Sequence, residues 1–224
     1  MYFIDDIPSL SGINRIGEFS VIEFIVRGGV FIYPIILCSI VALAIFIERV
    51  WVLRRKNIIP AEFIRNVEEL LRRQKVSEAL FLSQGDSSSI GKIFYAGLKN
   101  AGRGMWLVKE AIEERGEREA QILERHLGIL STIVTLSPLL GLMGTVSGMI
   151  RCFNVISQQG TNDPAQLAGG IAEVLIATAA GLCVAIPSLA GHRYLKDKAD
   201  SLIFEMEENS MKLIETIEKV GTQT

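Results

Sequence analysis

The sequence predicts an all-α integral membrane protein with three transmembrane helices, long cytoplasmic helical extensions, an outside N-terminus and a cytoplasmic C-terminus. Three observations lead there. Of the 224 residues 49% are hydrophobic and the mean hydropathy is +0.35, too apolar for an ordinary soluble domain yet with charge enough for sizeable water-exposed parts. Gly28 to Ile47, Leu127 to Ile150 and Val174 to Gly191 carry no charged residue, and each is long enough, at about 1.5 Å per residue, to cross roughly 30 Å of hydrocarbon. The basic residues are asymmetric: Arg54, Arg55 and Lys56 follow the first run, Arg115, Arg118 and Arg125 precede the second, and His192, Arg193, Lys196 and Lys198 follow the third, whereas Asn154 to Gly170 holds no Lys or Arg. Cytoplasmic loops concentrate Lys and Arg, so the 54 to 126 segment and the tail lie inside, and the short loop lies outside.

Taken in order, the head MYFIDDIPSL is acidic and has no basic n-region, so no cleaved signal peptide is expected. The first span, FIYPIILCSIVALAIFI, is closed by Glu48, Arg49 and Trp51. Pro60 opens AEFIRNVEELLRRQKVSEALFL, where Phe63, Val67, Leu70 and Leu71, then Val76, Ala79 and Leu80, recur at helical spacing opposite a charged face, predicting one amphipathic helix. Gly85 to Ser89, GDSSS, is a turn. Met105 to His126 resumes a charged helical pattern with no breaker before the second span, which predicts one long helix, half in water and half in lipid. The third span likewise continues into a tail whose Ala199, Ile203, Met206, Ser210, Leu213, Ile217 and Val220 form a heptad-like stripe, suited either to its own subunit's helices or to a self-associating bundle. Cys38, Cys152 and Cys183 lie in or at the end of spans, with neither disulfide nor metal-ligand spacing.

No enzyme equipment is visible, and no cofactor is expected. There is no phosphate loop after a strand, no Cys/His cluster and no nucleophile elbow; GLMGTVSG lies inside an uncharged helix where no phosphate could be cradled. His126 and His192 flank spans on the cytoplasmic side, which suits an interfacial or headgroup role. A net charge of −2 argues against a nucleic-acid partner.

The second and third spans carry the chemistry. Ser137, Gly141, Gly144, Thr145 and Gly148 share a face almost bare of side chain, which lipid rewards little and another helix can approach closely. Ala177, Ala180, Gly181 and Val184 continue the face of Glu173 on the third span, and Pro138 and Pro187 stand among these small residues. Packing alone accounts for the glycines but not for Glu173. A carboxylate in a span costs a few kcal/mol on insertion scales, so such residues face a bundle interior or water and mark ion or proton routes. Thr145 and Thr178 can each satisfy a hydroxyl on a helix carbonyl, and with Glu173 they put three polar groups into an otherwise bare pair of helices. A proton or cation path follows, with a structural hydrogen bond from Glu173 as the alternative.

LSPLLGLMGTVSGMIRCF (136 to 153) and GGIAEVLIATAAGLCVAIPSLAGHRYL (169 to 195) closely resemble the second and third membrane helices of the ExbB/TolQ branch of the MotA/TolQ/ExbB proton-channel family. The resemblance extends to the three-span order and the cytoplasmic loop and tail. It departs at Ser147, where the family commonly has Trp, and at Leu195, where Asn is usual, which leaves the subfamily open. Position by position it implies that Thr145, Glu173 and Thr178 line the pore. The implied layout is a periplasmic segment with an interfacial helix over 1–27, membrane helices over 28–50, 127–153 and 169–191, a cytoplasmic helical domain over 51–126, a periplasmic loop over 154–168 and a cytoplasmic helix over 192–224. It further implies a homo-oligomer, a pentamer, in the inner membrane around single-span ExbD/TolR-like partners bearing a membrane aspartate. Proton flux then drives a TonB-like or TolA-like energiser, or a related motility device. The reading from another class is a membrane scaffold that recruits partners through its cytoplasmic helices.

Overall fold

The computed structural model describes residues 29–159 and 164–221, all-helical with no strand among them. The expected interfacial helix within 1–27 and part of the 154–168 loop lie outside the described residues. In chain order the helices are α1 (Ile32–Val52), α2 (Arg55–Ile58), α3 (Ala61–Arg72), α4 (Val76–Gly85), α5 (Ser89–Lys99), α6 (Met105–Glu124), α7 (Leu127–Gln159) and α8 (Pro164–Gly221). Three helical stretches, within α1, α7 and α8, are long and apolar enough to cross a membrane. The chain divides into two compact units, one of the described residues up to Ala42 with Thr132–Ser188, the other of Leu43–Ser131 with Leu189 onward.

In the first unit the small and apolar residues of α7 and α8 turn inward while the large ones turn out. Ser137, Gly141, Gly144 and Gly148 of α7 and Val174, Ala177, Gly181 and Ala185 of α8 are buried; Leu139, Leu142, Met143, Leu175, Leu182 and Ile186 are exposed. This inverts a soluble core, as expected where the solvent is hydrocarbon and close packing of small residues holds helices together.

The second unit is a helical bundle with an ordinary apolar core. Its centre is Phe63 of α3 against Phe94 of α5, with ring centroids 5.8 Å apart, surrounded by Leu53, Val67, Leu71, Ile90 and Leu98. The tail of α8 joins this core through Ala199, Leu202, Met206, Ser210, Leu213 and Ile217. These buried positions step by three, four, four, three and four, the period of a straight helix. The stripe expected through Ile203 runs through Leu202 instead, Ile203 being half-buried and Val220 lying outside the described side chains. It packs on its own subunit: a Cβ at Gly97 of α5 would lie 3.6 Å from Leu213 Cδ2, and Arg55 Nε donates to the Glu205 carboxylate at 2.9 and 3.0 Å.

The structure corrects two expectations and adds a helix to which the sequence reading gave no element. The single amphipathic helix after Pro60 is two, α3 and α4, because Gln74 takes a left-handed φ of 59° and its N–H, with that of Lys75, caps the carbonyls of Leu71 and Leu70. The stretch after GDSSS holds a further helix, α5, started by Ser88, whose Oγ accepts from Gly91 N at 3.1 Å while its own N–H donates to Asp86 Oδ1 at 2.8 Å. The helix running from Met105 into the second span is interrupted: Arg125 is extended and His126 has φ 66°.

Side chains of the second unit explain that interruption. Arg49, only 3% exposed, donates to the Ile122 carbonyl at 3.1 Å, lies 3.1 Å from His126 Nδ1 and donates to Glu48 at 3.3 Å; His126 Nδ1 in turn lies 2.9 Å from Glu48 Oε2. The Ile122 carbonyl lies in the last turn of α6, where helix carbonyls are left without intrahelical donors, and the guanidinium supplies a donor there. Arg49 closes the first uncharged run in sequence, a place that ordinarily reads as headgroup contact, so its structural use gave no signal.

Candidate functional site

Helices α7 and α8 run antiparallel in backbone contact. A Cβ built on Gly181 would lie 2.6 Å from the Ser137 carbonyl oxygen and 3.3 Å from Gly141 Cα; one on Gly141 would lie 3.0 Å from the Ala177 oxygen and 3.2 Å from Thr178 Cα. One on Gly144 would lie 2.5 Å from Ala177 Cβ, and one on Gly148 would lie 2.5 Å from Val174 Cγ2. At Gly141, Gly144, Gly148 and Gly181 a side chain would displace the facing helix or its side chains, so the two helices approach at close to backbone distance. The bare faces of the two spans are thus spent on each other within one chain. Half-buried Ala180, half-buried Pro138 and exposed Pro187 are not among these contacts.

The seam has two edges. On one, Gly141 meets Thr178, and Thr145 stands one turn further along α7, since residues four apart lie one above the other on a helix face. On the other, Gly144 meets Ala177, and a Cβ built on Gly144 would lie 3.7 Å from Phe31 Cβ. Position 173 is four residues from Ala177 and so belongs to this second edge at the level of its backbone; the Glu173 side chain lies outside the described residues. Along α8 position 173 lies about 7.5 Å from Thr178, and along α7 Thr145 lies about 6 Å from Gly141, the residue that meets Thr178, at roughly 1.5 Å per residue. A single chain therefore gathers the two threonines on one edge and leaves position 173 on the other.

The hydroxyls differ. Thr145 Oγ1 donates to the Leu142 carbonyl at 2.6 Å, which satisfies its donor within the helix. Thr178 Oγ1 is buried and has no hydrogen-bond partner, and neither has Ser137 Oγ of fully buried Ser137. A buried unsatisfied hydroxyl costs about 1–3 kcal/mol. The Thr178 hydroxyl is enclosed beside Gly141 at this edge of the seam. Ser137 entered the sequence reading as a packing residue only; nothing in its spacing signalled an orphaned hydroxyl.

Residues 86–208 match the model of the MotA/TolQ/ExbB proton channel family. The chain is 36% identical over 181 residues to the putative biopolymer transport protein ExbB-like 1 of Synechocystis sp., an overlap covering 77% of this chain and 69% of that one. It is 37% identical over 126 residues to the biopolymer transport protein ExbB of Salmonella typhimurium, covering 53% and 45%. It is 35% identical over 127 residues to the Tol-Pal system protein TolQ of Pseudomonas aeruginosa, covering 52% and 55%.

Proposed function

The chain belongs to the MotA/TolQ/ExbB proton channel family, and on that footing we propose that it is the channel subunit of an inner-membrane motor coupling proton-motive force to periplasmic or outer-membrane work. The relatives named as an ExbB and a TolQ support downstream machinery of an ExbB–ExbD–TonB-like or TolQ–TolR–TolA-like class. The observation that supports this reading is the placement of Thr178 beside Gly141 and of Thr145 one turn further along the same edge of the α7 and α8 seam.

In a ring of five copies the threonine edges of α7 and α8 face a shared lumen, and a single-span ExbD/TolR-like partner occupies it. The Thr178 hydroxyl, and the Thr145 hydroxyl when it exchanges its bond to the Leu142 carbonyl, stabilise the ionised form of the partner's membrane aspartate, since a donor to a carboxylate favours its charged state. Movement away from them returns the acid to apolar surroundings, where it takes up a proton. Glu173 supplies a second acid near the outer end of the path, a role assigned by its place in the IAE motif. The head and the 154–168 loop lie in the periplasm and the 51–126 and 192–224 segments in the cytoplasm, following the Lys and Arg asymmetry.

The test is proton uptake into vesicles holding the chain with its partner. Thr145→Ala, Glu173→Ala and Thr178→Ala are each expected to abolish coupled uptake while insertion and oligomer size stay unchanged. Full uptake in all three would refute the pore assignment and leave a membrane scaffold with a structural Glu173.

A further inference from the structure

A groove of about 750 Å³ lies in the second unit between α6 and the tail of α8. Its apolar lining includes Ile93, Ile112 and Met206, and its walls span Lys109 to Ala120 on α6 and Ile203 to Glu218 on α8. At about 1.5 Å per residue those walls are roughly 16 and 22 Å long, three to four helical turns. Gly116 stands in the middle of the α6 wall, and a Cβ built there would touch nothing within 4 Å. On α8, Met211 beside the groove is 66% exposed. Glu113, Glu117, Glu207 and Glu215 line the groove against one cation, Lys109, and Glu218, which already has an interaction of its own, lines it too.

We propose that this groove is a docking site for a basic amphipathic helical segment of a membrane partner, its apolar stripe on Ile203, Met211 and Ile214 and its Lys and Arg side chains against the glutamates. The shape is that of helix-in-groove recognition, where an apolar stripe supplies affinity and flanking charge supplies orientation and on-rate. The sign of the charge selects the occupant. A second copy docked groove to groove would set glutamates against glutamates, which is repulsive, and a head-to-tail contact between copies in a ring is the alternative that the oligomer size of a groove-filling variant reads out. A single-span partner whose short tail lies in the cytoplasm concentrates Lys and Arg next to its membrane helix, the composition this groove complements. The source of the segment rests on the channel-subunit reading above; the chemistry of the groove does not.

The experiment uses the full chain in phosphatidylcholine nanodiscs and two fluorescent 18-residue helical peptides, one of Leu and Lys and one of Leu and Glu with the same apolar stripe. The Leu/Lys peptide is expected to bind, by anisotropy above an empty-nanodisc control, at least tenfold tighter than the Leu/Glu peptide, and to weaken with added salt. Gly116→Leu enters the groove from a position where a Cβ meets nothing within 4 Å and improves helix propensity, so it should fold and lose at least tenfold in affinity; Glu117→Lys with Glu215→Lys should do the same. No binding of the Leu/Lys peptide, or undiminished binding to Gly116→Leu, overturns the proposal. So does a change of oligomer size in Gly116→Leu, which would make the groove a contact between copies. Proton uptake lost in Thr178→Ala but peptide binding retained would show the two readings standing separately, and uptake intact with no peptide binding in wild type would sink this one alone.

Discussion

Replacing Gly181 by Ala tests the seam at its tightest point. The added methyl would lie 2.6 Å from the Ser137 carbonyl oxygen and 3.3 Å from Gly141 Cα, both backbone atoms that no rotamer change can move. Carbon needs about 3.5 Å to a neighbouring heavy atom, so α7 and α8 must part by roughly 1 Å at this level. A gap of that size forfeits a quarter to a half of each dispersion contact it opens, and forced overpacking in a close-packed interior costs about 1–3 kcal/mol. Gly128→Ala is the matched control: it lies near the start of α7, a Cβ built there would meet nothing within 4 Å, and the change should be neutral or stabilising by up to about 1 kcal/mol. Both variants are purified in mild detergent, heated in steps and run by size exclusion to find the temperature at which half the folded species is lost. Gly181→Ala is expected to lose several degrees relative to wild type and Gly128→Ala none. Equal stabilities would mean that the two helices do not approach at backbone distance, and the account of the seam would fail with them.

Three further outcomes follow from the second unit. Gln74→Gly should stabilise by about 1 kcal/mol in chemical denaturation, because glycine adopts a φ of 59° without the Cβ penalty; the same change at His126 (φ 66°) should destabilise, since the ring would no longer contact Glu48 and Arg49. Glu119→Ala should cost about 2–3 kcal/mol by the same measurement, since this fully buried carboxylate binds Arg115 and lies 3.7 Å from Lys92 of α5, while both cations keep partial access to water and so hold the loss at the low end. The hydrogen bonds from Arg55 hold the Glu205 carboxyl below the usual glutamate range, so this pair's contribution is fully present above the ordinary value of about 4.3 and is lost as pH falls through the lowered one. Glu205→Gln should flatten the acid limb of the stability profile slightly, the pair being largely exposed, and a profile as steep as wild type would count against the assignment.

Within the sequence itself lay everything that depends on composition and local period. Three uncharged runs of spanning length, the small-residue faces of α7 and α8 and the oddity of a carboxylate at 173 are properties of single segments, and hydrocarbon imposes its demands segment by segment: helices must satisfy their own backbone, and large apolar side chains must face lipid. The GDSSS turn was visible for the same reason, since Asp and Ser compete locally for backbone donors; the helix it starts was not, because SIGKIFYAGLK buries Ile90, Ile93, Phe94 and Leu98 on a broad face that its glycines obscure. What tertiary structure alone decided was where helices break and which edge of a helix a residue occupies. Gln74 and His126 carry no sequence sign of a left-handed backbone; His126 is held there by Arg49 and Glu48, more than seventy residues away along the chain. The same holds for the polar path. Thr145, Thr178 and Glu173 read in sequence as one set, but the antiparallel register set by Gly141, Gly144 and Gly148 puts the threonines on one edge of the seam and position 173 on the other, because an approach that leaves a built Cβ only 2.5 to 3.0 Å from the facing helix gives the two helices no other way to fit.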